Sequence, residues 1–105
     1  MDKNEAISIA KRYVESISRK YKIENAILFG SFAKGTNHPD SDIDIAIIFS
    51  SVDDIIDIQA DLMQMRSDDD LLIEPHPFIK TDFHVSNPMV AEILRNGIEI
   101  TNYAA

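Results

Sequence analysis

Cysteine and tryptophan are both absent from the 105 residues of this chain. Without a thiol there can be no disulfide, no zinc–thiolate centre and no cysteine nucleophile. Glycine occurs three times and proline four times, and no linker, repeat or low-complexity tract is visible. No run approaches the ~20 apolar residues needed to span a bilayer. The opening MDKNEAISIA lacks the apolar core of a signal peptide. A cytoplasmic protein with no membrane partner is therefore expected. Basic residues are in deficit, 10 against 18 acidic ones, for a net charge of -8. A nucleic-acid binder usually needs a basic face to neutralise phosphates. Here the basic residues gather mostly in one early stretch, Lys11, Arg12, Arg19, Lys20 and Lys22. The overall field repels DNA and RNA, so direct nucleic-acid binding is not expected. The same acidity suits a protein that collects divalent cations.

Hydrophobic residues make up 45% and charged residues 27%, which is the balance of a globular chain rather than a disordered one. The length fits a single domain, residues 1–105, with one core and a shallow cleft. Ile7, Ala10, Val14, Ile17 and Tyr21 recur at spacings of three and four and predict an amphipathic helix over 2–21. Asp2 and Glu5 are placed for a capping box, and Arg19 and Lys20 suit the negative C-terminal end. Residues 23–29 read as a buried strand that stops at Gly30-Ser31. Gly35, Asn37 and Pro39 limit any following helix to a turn or two. Residues 42–49 form a second strand. Ser51 is placed to cap a helix reaching Arg66, with Ile55, Ile56, Leu62 and Met63 inward. Asp68, Asp69 and Asp70 read as a solvated turn. A third strand begins at 71–74 and is ended by Pro75 and Pro77. A last helix starts at Pro88 behind Asn87 or Ser86 and stops at Gly97, and residues 98–101 suggest a short final strand. This order predicts an α/β (α+β) fold, a small mixed β-sheet with helices packed on it.

The informative segment is GSFAKGTNHPDSDIDIA, residues 30–46. Glycine lets a backbone approach a ligand closely, and the Ser31 hydroxyl adds a donor, which together suit a phosphate. Taken alone, Gly30-Ser31 reads more readily as a turn with a capping serine. At the other end, Asp42 and Asp44 alternate onto one face of a strand and Ile43, Ile45 and Ile47 onto the other. Aspartate is depleted in strands, and two carboxylates on one face repel each other. Ala46 and Ile48 continue that face as apolar, so the pair sits at the mouth of a buried surface. Magnesium takes such hard oxygen ligands and leaves room for substrate phosphates. Taken alone, the pair could equally be two solvated side chains at an exposed strand end.

Both ends together, Gly-Ser, ten residues, then Asp-x-Asp, resemble the signature of the minimal nucleotidyltransferases, a branch of the DNA polymerase β-like superfamily. The Gly-Ser-x-Ala-x-Gly start, Ser41 before the first aspartate, the leading helix and the ending EILRNGIEI are similar as well. The resemblance covers nearly the whole chain and implies the polymerase β palm-like fold. It implies a third carboxylate on a neighbouring strand. Glu74 is the candidate for this place, which is more often aspartate; Asp68, Asp69 and Asp70 compete with it, and Asp82 stands behind them. Lys34 is placed to touch a phosphate or to be solvated. His76, between two prolines, could shape the acceptor site or be structural; His38 and His84 read as loop residues.

The activity so implied is transfer of a nucleoside monophosphate, AMP above all, from ATP or another NTP to an acceptor, with release of pyrophosphate. Asp42, Asp44 and Glu74 would be the catalytic and metal-binding residues, holding two Mg2+ ions. Gly30 and Ser31 would be the nucleotide-binding residues. Small members of the family are commonly paired with a helical HEPN-type protein as toxin–antitoxin modules, so an antitoxin that modifies such a partner is expected. The rival reading is a non-enzymatic binding module that neutralises a helical partner by contact alone. A small-molecule transferase would need a homodimer to build its acceptor pocket.

Overall fold

The computed structural model describes residues 1–100, apart from the side chain of Asp69. Helix α1 spans Lys3–Lys20. The Asp2 carboxylate accepts from the Glu5 amide at 2.8 Å, and Glu5 in turn accepts from the Asp2 amide, so the expected capping box is present. Its inward stripe is Ala6, Ala10, Tyr13, Val14 and Ile17, with Ile7 and Tyr21 half-buried at the margins. Tyr13 lies at the centre of this stripe. Its hydroxyl donates to the Leu62 carbonyl at 2.6 Å, and burial pushes its pKa well up.

Strands β1 (Asn25–Phe29), β2 (Ile43–Phe49), β3 (Ile73–Ile79) and β4 (Ile98–Glu99) form one sheet in the order β3-β2-β1-β4. β1 is antiparallel to β2 and to β4, while β2 and β3 run parallel. The sheet is therefore mixed, as expected. The expected final strand reached residue 101, which lies outside the described residues. Alternation along β2 divides the core between the two sheet faces. Ile43, Ile45, Ile47 and Phe49 pack with α1 and with Leu62. Ala46 and Ile48 pack with Ile27, Phe29 and Ile93 on the other face.

Helix α2 is one turn, Ser31–Lys34, and α3 spans Ile55–Gln64. The cap of α3 is Asp54, whose carboxylate accepts from the Ile56 and Asp57 amides; it is not Ser51. Leu62 is buried as expected, and Ile58 and Met65 pack beside it. Ile55 and Ile56, expected to point inward, are instead exposed, Ile56 at 76%. Arg66 ties the end of α3 to the start of β3 by donating to the carbonyls of Met63, Leu71 and Ile73. Asp68–Asp70 forms the expected turn, of 3-10 type, with Asp68 exposed but Asp70 not solvated. Asp70 is buried there, close enough to Tyr13 for its charge to act on the phenol.

Pro75 and Pro77 do not end β3, which runs through both. The physical reason is its place at the sheet edge, where a missing N–H costs no ladder hydrogen bond if it faces outward. The Pro75 carbonyl indeed points away from β2, accepting from the Gln59 side chain at 3.0 Å. Helix α4 spans Pro88–Asn96, capped by Asn87 accepting from the Met89 amide. It lays Ile93 on the second sheet face. Among the described residues, no helix is long and apolar enough to cross a membrane.

Candidate functional site

Three residues from three strands stand in one row at the end of the second sheet face. The antiparallel register sets Phe29 opposite Asp44, and the parallel register sets Asp44 opposite Glu74. Asp44 is half-buried, whereas Asp42 and Glu74 are exposed. Asp42 precedes β2, which starts at Ile43 and pairs back through its amide to the Leu72 carbonyl at 2.8 Å. Asp42 lies near enough to Glu74 to act on its ionisation. The Glu74 pKa is raised, first by the shelter of its surroundings and next by the negative charge of Asp44, with His76 pulling the other way. A carboxylate so crowded is a place where a cation relieves repulsion.

The chain leaves β1 at Gly30 with φ 78° and ψ −154°, a backbone that favours glycine. A Cβ there would lie 2.4 Å from Asp44 Oδ2. The bare backbone of Gly30 is thus pressed against the carboxylate. Gly30, not Ser31, is the cap of α2, and Ser31 is its half-exposed first residue. At the far end of α2, Gly35 takes φ 77° and its amide donates to the Ser31 carbonyl.

Ser41 is 95% buried, with an exposure of 5%. Its hydroxyl accepts from the His38 amide at 2.9 Å, while its own amide donates to the His38 carbonyl at 3.0 Å. The loop is thereby closed on itself immediately before Asp42. The sequence signal for this positioning is the serine immediately before Asp42.

A histidine stands with the strand-borne carboxylates. His76 Nε2 lies 3.1 Å from Asp44 Oδ1, and its ring packs edge-on against Phe29 at 5.1 Å. Asp44, Glu74 and His76 each offer one donor atom within 4.8 Å of the others. The usable signal was the spacing of two between Glu74 and His76, which puts them on one face once the strand continues past Pro75. The remaining candidates stand apart. Asp68 precedes β3 and Asp70 is buried. Asp82 sits exposed in a 3-10 turn after β3. Lys34 is neither free nor turned to the row but pairs with Glu92 of α4 at 2.8 Å.

Gly30 set against Asp44 on a mixed sheet goes with a nucleotidyltransferase. Residues 11–104 match the family described as polymerase beta, nucleotidyltransferase, and the chain belongs to that family. It is 29% identical over 102 residues to a candidate protein adenylyltransferase of Methanocaldococcus jannaschii, with 91% of this chain and 99% of that one covered. Its fold is similar to that of a candidate nucleotidyltransferase from Sulfolobus solfataricus, with a TM-score of 0.69 at 17% identity, covering 92% of this chain and 80% of the other. It is also similar to a chain of a toxin–antitoxin crystallised with AMP-PNP, with a TM-score of 0.58 at 20% identity over 90% and 80% of the two chains.

Proposed function

We propose that this nucleotidyltransferase moves AMP from ATP to a protein acceptor and acts as the antitoxin of a toxin–antitoxin pair whose partner is a helical HEPN-type protein. The observation that carries the reading is the contact of Gly30 with Asp44 at the head of the Phe29–Asp44–Glu74 row. It supports a site where a phosphate tail and a carboxylate share one small space. The protein adenylyltransferase name of one relative and the AMP-PNP of one structural neighbour favour adenine and a protein acceptor. The apolar side chains of Leu71 and Leu72, 60% and 40% exposed just before Glu74, offer a lip on which such an acceptor could rest. A cytoplasmic setting goes with an ATP-dependent reaction of this kind.

The donor set suits magnesium, because Asp44 and Glu74 offer hard oxygens near one another with Asp42 beside Glu74, and burial together with the charge of Asp44 already raises Glu74. When bound, two magnesium ions supply charge neutralisation at the attacking and leaving oxygens. Asp44, anchored in β2, holds the fixed side of the site, and Asp42 closes it from the loop. Glu74, exposed and with a raised pKa, receives the proton of the acceptor hydroxyl. Gly30 and Ser31 bind the β- and γ-phosphates, the first by leaving space and the second by its hydroxyl. Positioning and charge dominate phosphoryl transfer, and these residues supply both.

The test is incubation of the chain with α-labelled ATP, magnesium and its helical partner. Label on the partner with release of pyrophosphate is the expected result. A tight complex that stays unlabelled would instead establish a binding module that neutralises by contact.

A further inference from the structure

We infer that His76 is itself a metal ligand, so that the site combines an imidazole nitrogen with carboxylate oxygens and prefers manganese to magnesium. The inference rests on the reading of Asp44 and Glu74 as metal ligands and extends it to a donor of different chemistry.

The distances carry it. An octahedral ion with ligand bonds of ~2.1 Å places neighbouring donors ~3 Å apart and opposite donors ~4.2 Å apart. His76 Nε2 and Asp44 Oδ1 are 3.1 Å apart, the length of one such edge. The donor atoms of Asp44, Glu74 and His76 all lie within 4.8 Å of one another, compatible with one coordination shell after small adjustment. The ring is also held in its aim. Pro75 and Pro77 flank it in β3, each with φ preset by its own ring. Phe29 supports one side of the imidazole at an interplanar angle of 62°. Ala46 is its partner in β2 and brings only a methyl group to that position. A side chain restrained in this way loses little freedom on binding an ion. Manganese, which shares magnesium's liking for carboxylates, accepts an imidazole nitrogen beside them more readily than magnesium, which favours oxygen throughout.

The experiment uses the full chain with Mn2+ alone. Electron spin-echo modulation reads nitrogen coupled to bound manganese, and calorimetry compares Mn2+ with Mg2+. The expected result is nitrogen modulation in the wild type that persists in His38→Gln and disappears in His76→Gln. His76→Gln should weaken Mn2+ by about tenfold or more, the scale on which metal-site partners act, and Mg2+ by much less. Manganese bound in a manner that Asp44→Asn abolishes, but without nitrogen modulation in the wild type, would overturn the inference. Equal weakening of both ions by His76→Gln would overturn it too and leave the histidine as a group that only orients Asp44. Failure of the wild type to bind Mn2+, or binding untouched by Asp44→Asn, would instead remove the carboxylate site on which the inference stands. The wild-type spectrum needs no variant to fold, so the test survives an unstable substitution.

Discussion

Gly30 and Asp44 meet so closely across the ends of β1 and β2 that one added carbon on Gly30 would stand 2.4 Å from the Asp44 Oδ2 atom. Gly35, five residues later, has nearly the same positive φ but nothing within 4 Å of a would-be Cβ. The two glycines therefore separate backbone strain from steric collision. Gly35→Ala should cost about 1 kcal/mol from the left-handed backbone alone. Gly30→Ala should cost about 1–3 kcal/mol, since strain adds to displacement of Asp44, and should also remove activity. Thermal melts of both variants, with label-transfer assays, check the pair; equal losses would mean that the contact with Asp44 yields freely.

Asp42→Asn and Asp44→Asn should each lower AMP transfer by at least about a hundredfold, because each removes a charge from the proposed cation site. The melting temperature without metal should hold or rise, since a repulsive neighbour of Glu74 is gone. Magnesium should raise the melting temperature of the wild type by preferential binding to the folded state and should do so far less in Asp44→Asn. Full magnesium-dependent transfer by both variants would show that the chemistry lies elsewhere.

Tyr13→Phe tests the packing of α1 on α3. The phenol donates to Leu62 inside the core, and its removal leaves that carbonyl with one partner fewer. A loss of about 1–2 kcal/mol is expected by denaturant titration, with transfer activity unchanged, because the bond lies on the face of the sheet opposite the carboxylate row.

Asp61 links α3 to the end of α1 through Lys20 and the Tyr21 hydroxyl. The hydrogen bond from Lys20, and next that from Tyr21, hold its pKa below the ordinary 3.8. A depressed folded value means that the unfolded chain binds the proton more readily, so the contribution is present above the ordinary aspartate value and is lost as pH falls through the folded one. Asp61→Asn should therefore lower stability at neutral pH and shallow the acid limb of the melting curve below about pH 4. Because the Asp61 carboxylate is only partly buried and Lys20 is exposed, salt should shrink the difference. An unchanged acid limb would show that the link contributes nothing.

Much of this arrangement was legible in the residues, and the exceptions have physical causes. The α1 capping box, the alternation of β2 and the Asn87–Pro88 start of α4 are local, and each formed as expected. The same alternation predicts one face for Asp42 and Asp44, but Asp42 precedes β2 and only Asp44 joins Glu74 and His76. Ser51 failed as a cap because Asp54 offers its carboxylate to two amides, a competition between nearby polar residues that spacing does not decide. Pro75 and Pro77 were misleading because their effect on a strand depends on whether it is an edge, which is a property of the whole sheet. That misreading hid His76, whose alignment with Glu74 exists only if the strand continues. The turn that Ser41 closes was likewise a matter of tertiary burial rather than of residue type.

The paired prolines of β3 have one more effect. A sheet margin that presents ordinary amides invites a second chain to zip onto it, a hazard that grows when the margin also carries exposed leucines. Two positions without a donor interrupt that template, while Gln59 occupies one of the carbonyls between the remaining donors. The acid-bearing border is thereby a poor template for strand pairing with a second copy. Whatever docks beside Glu74 must be recognised by its side chains and shape, since the main chain there cannot offer an uninterrupted ladder.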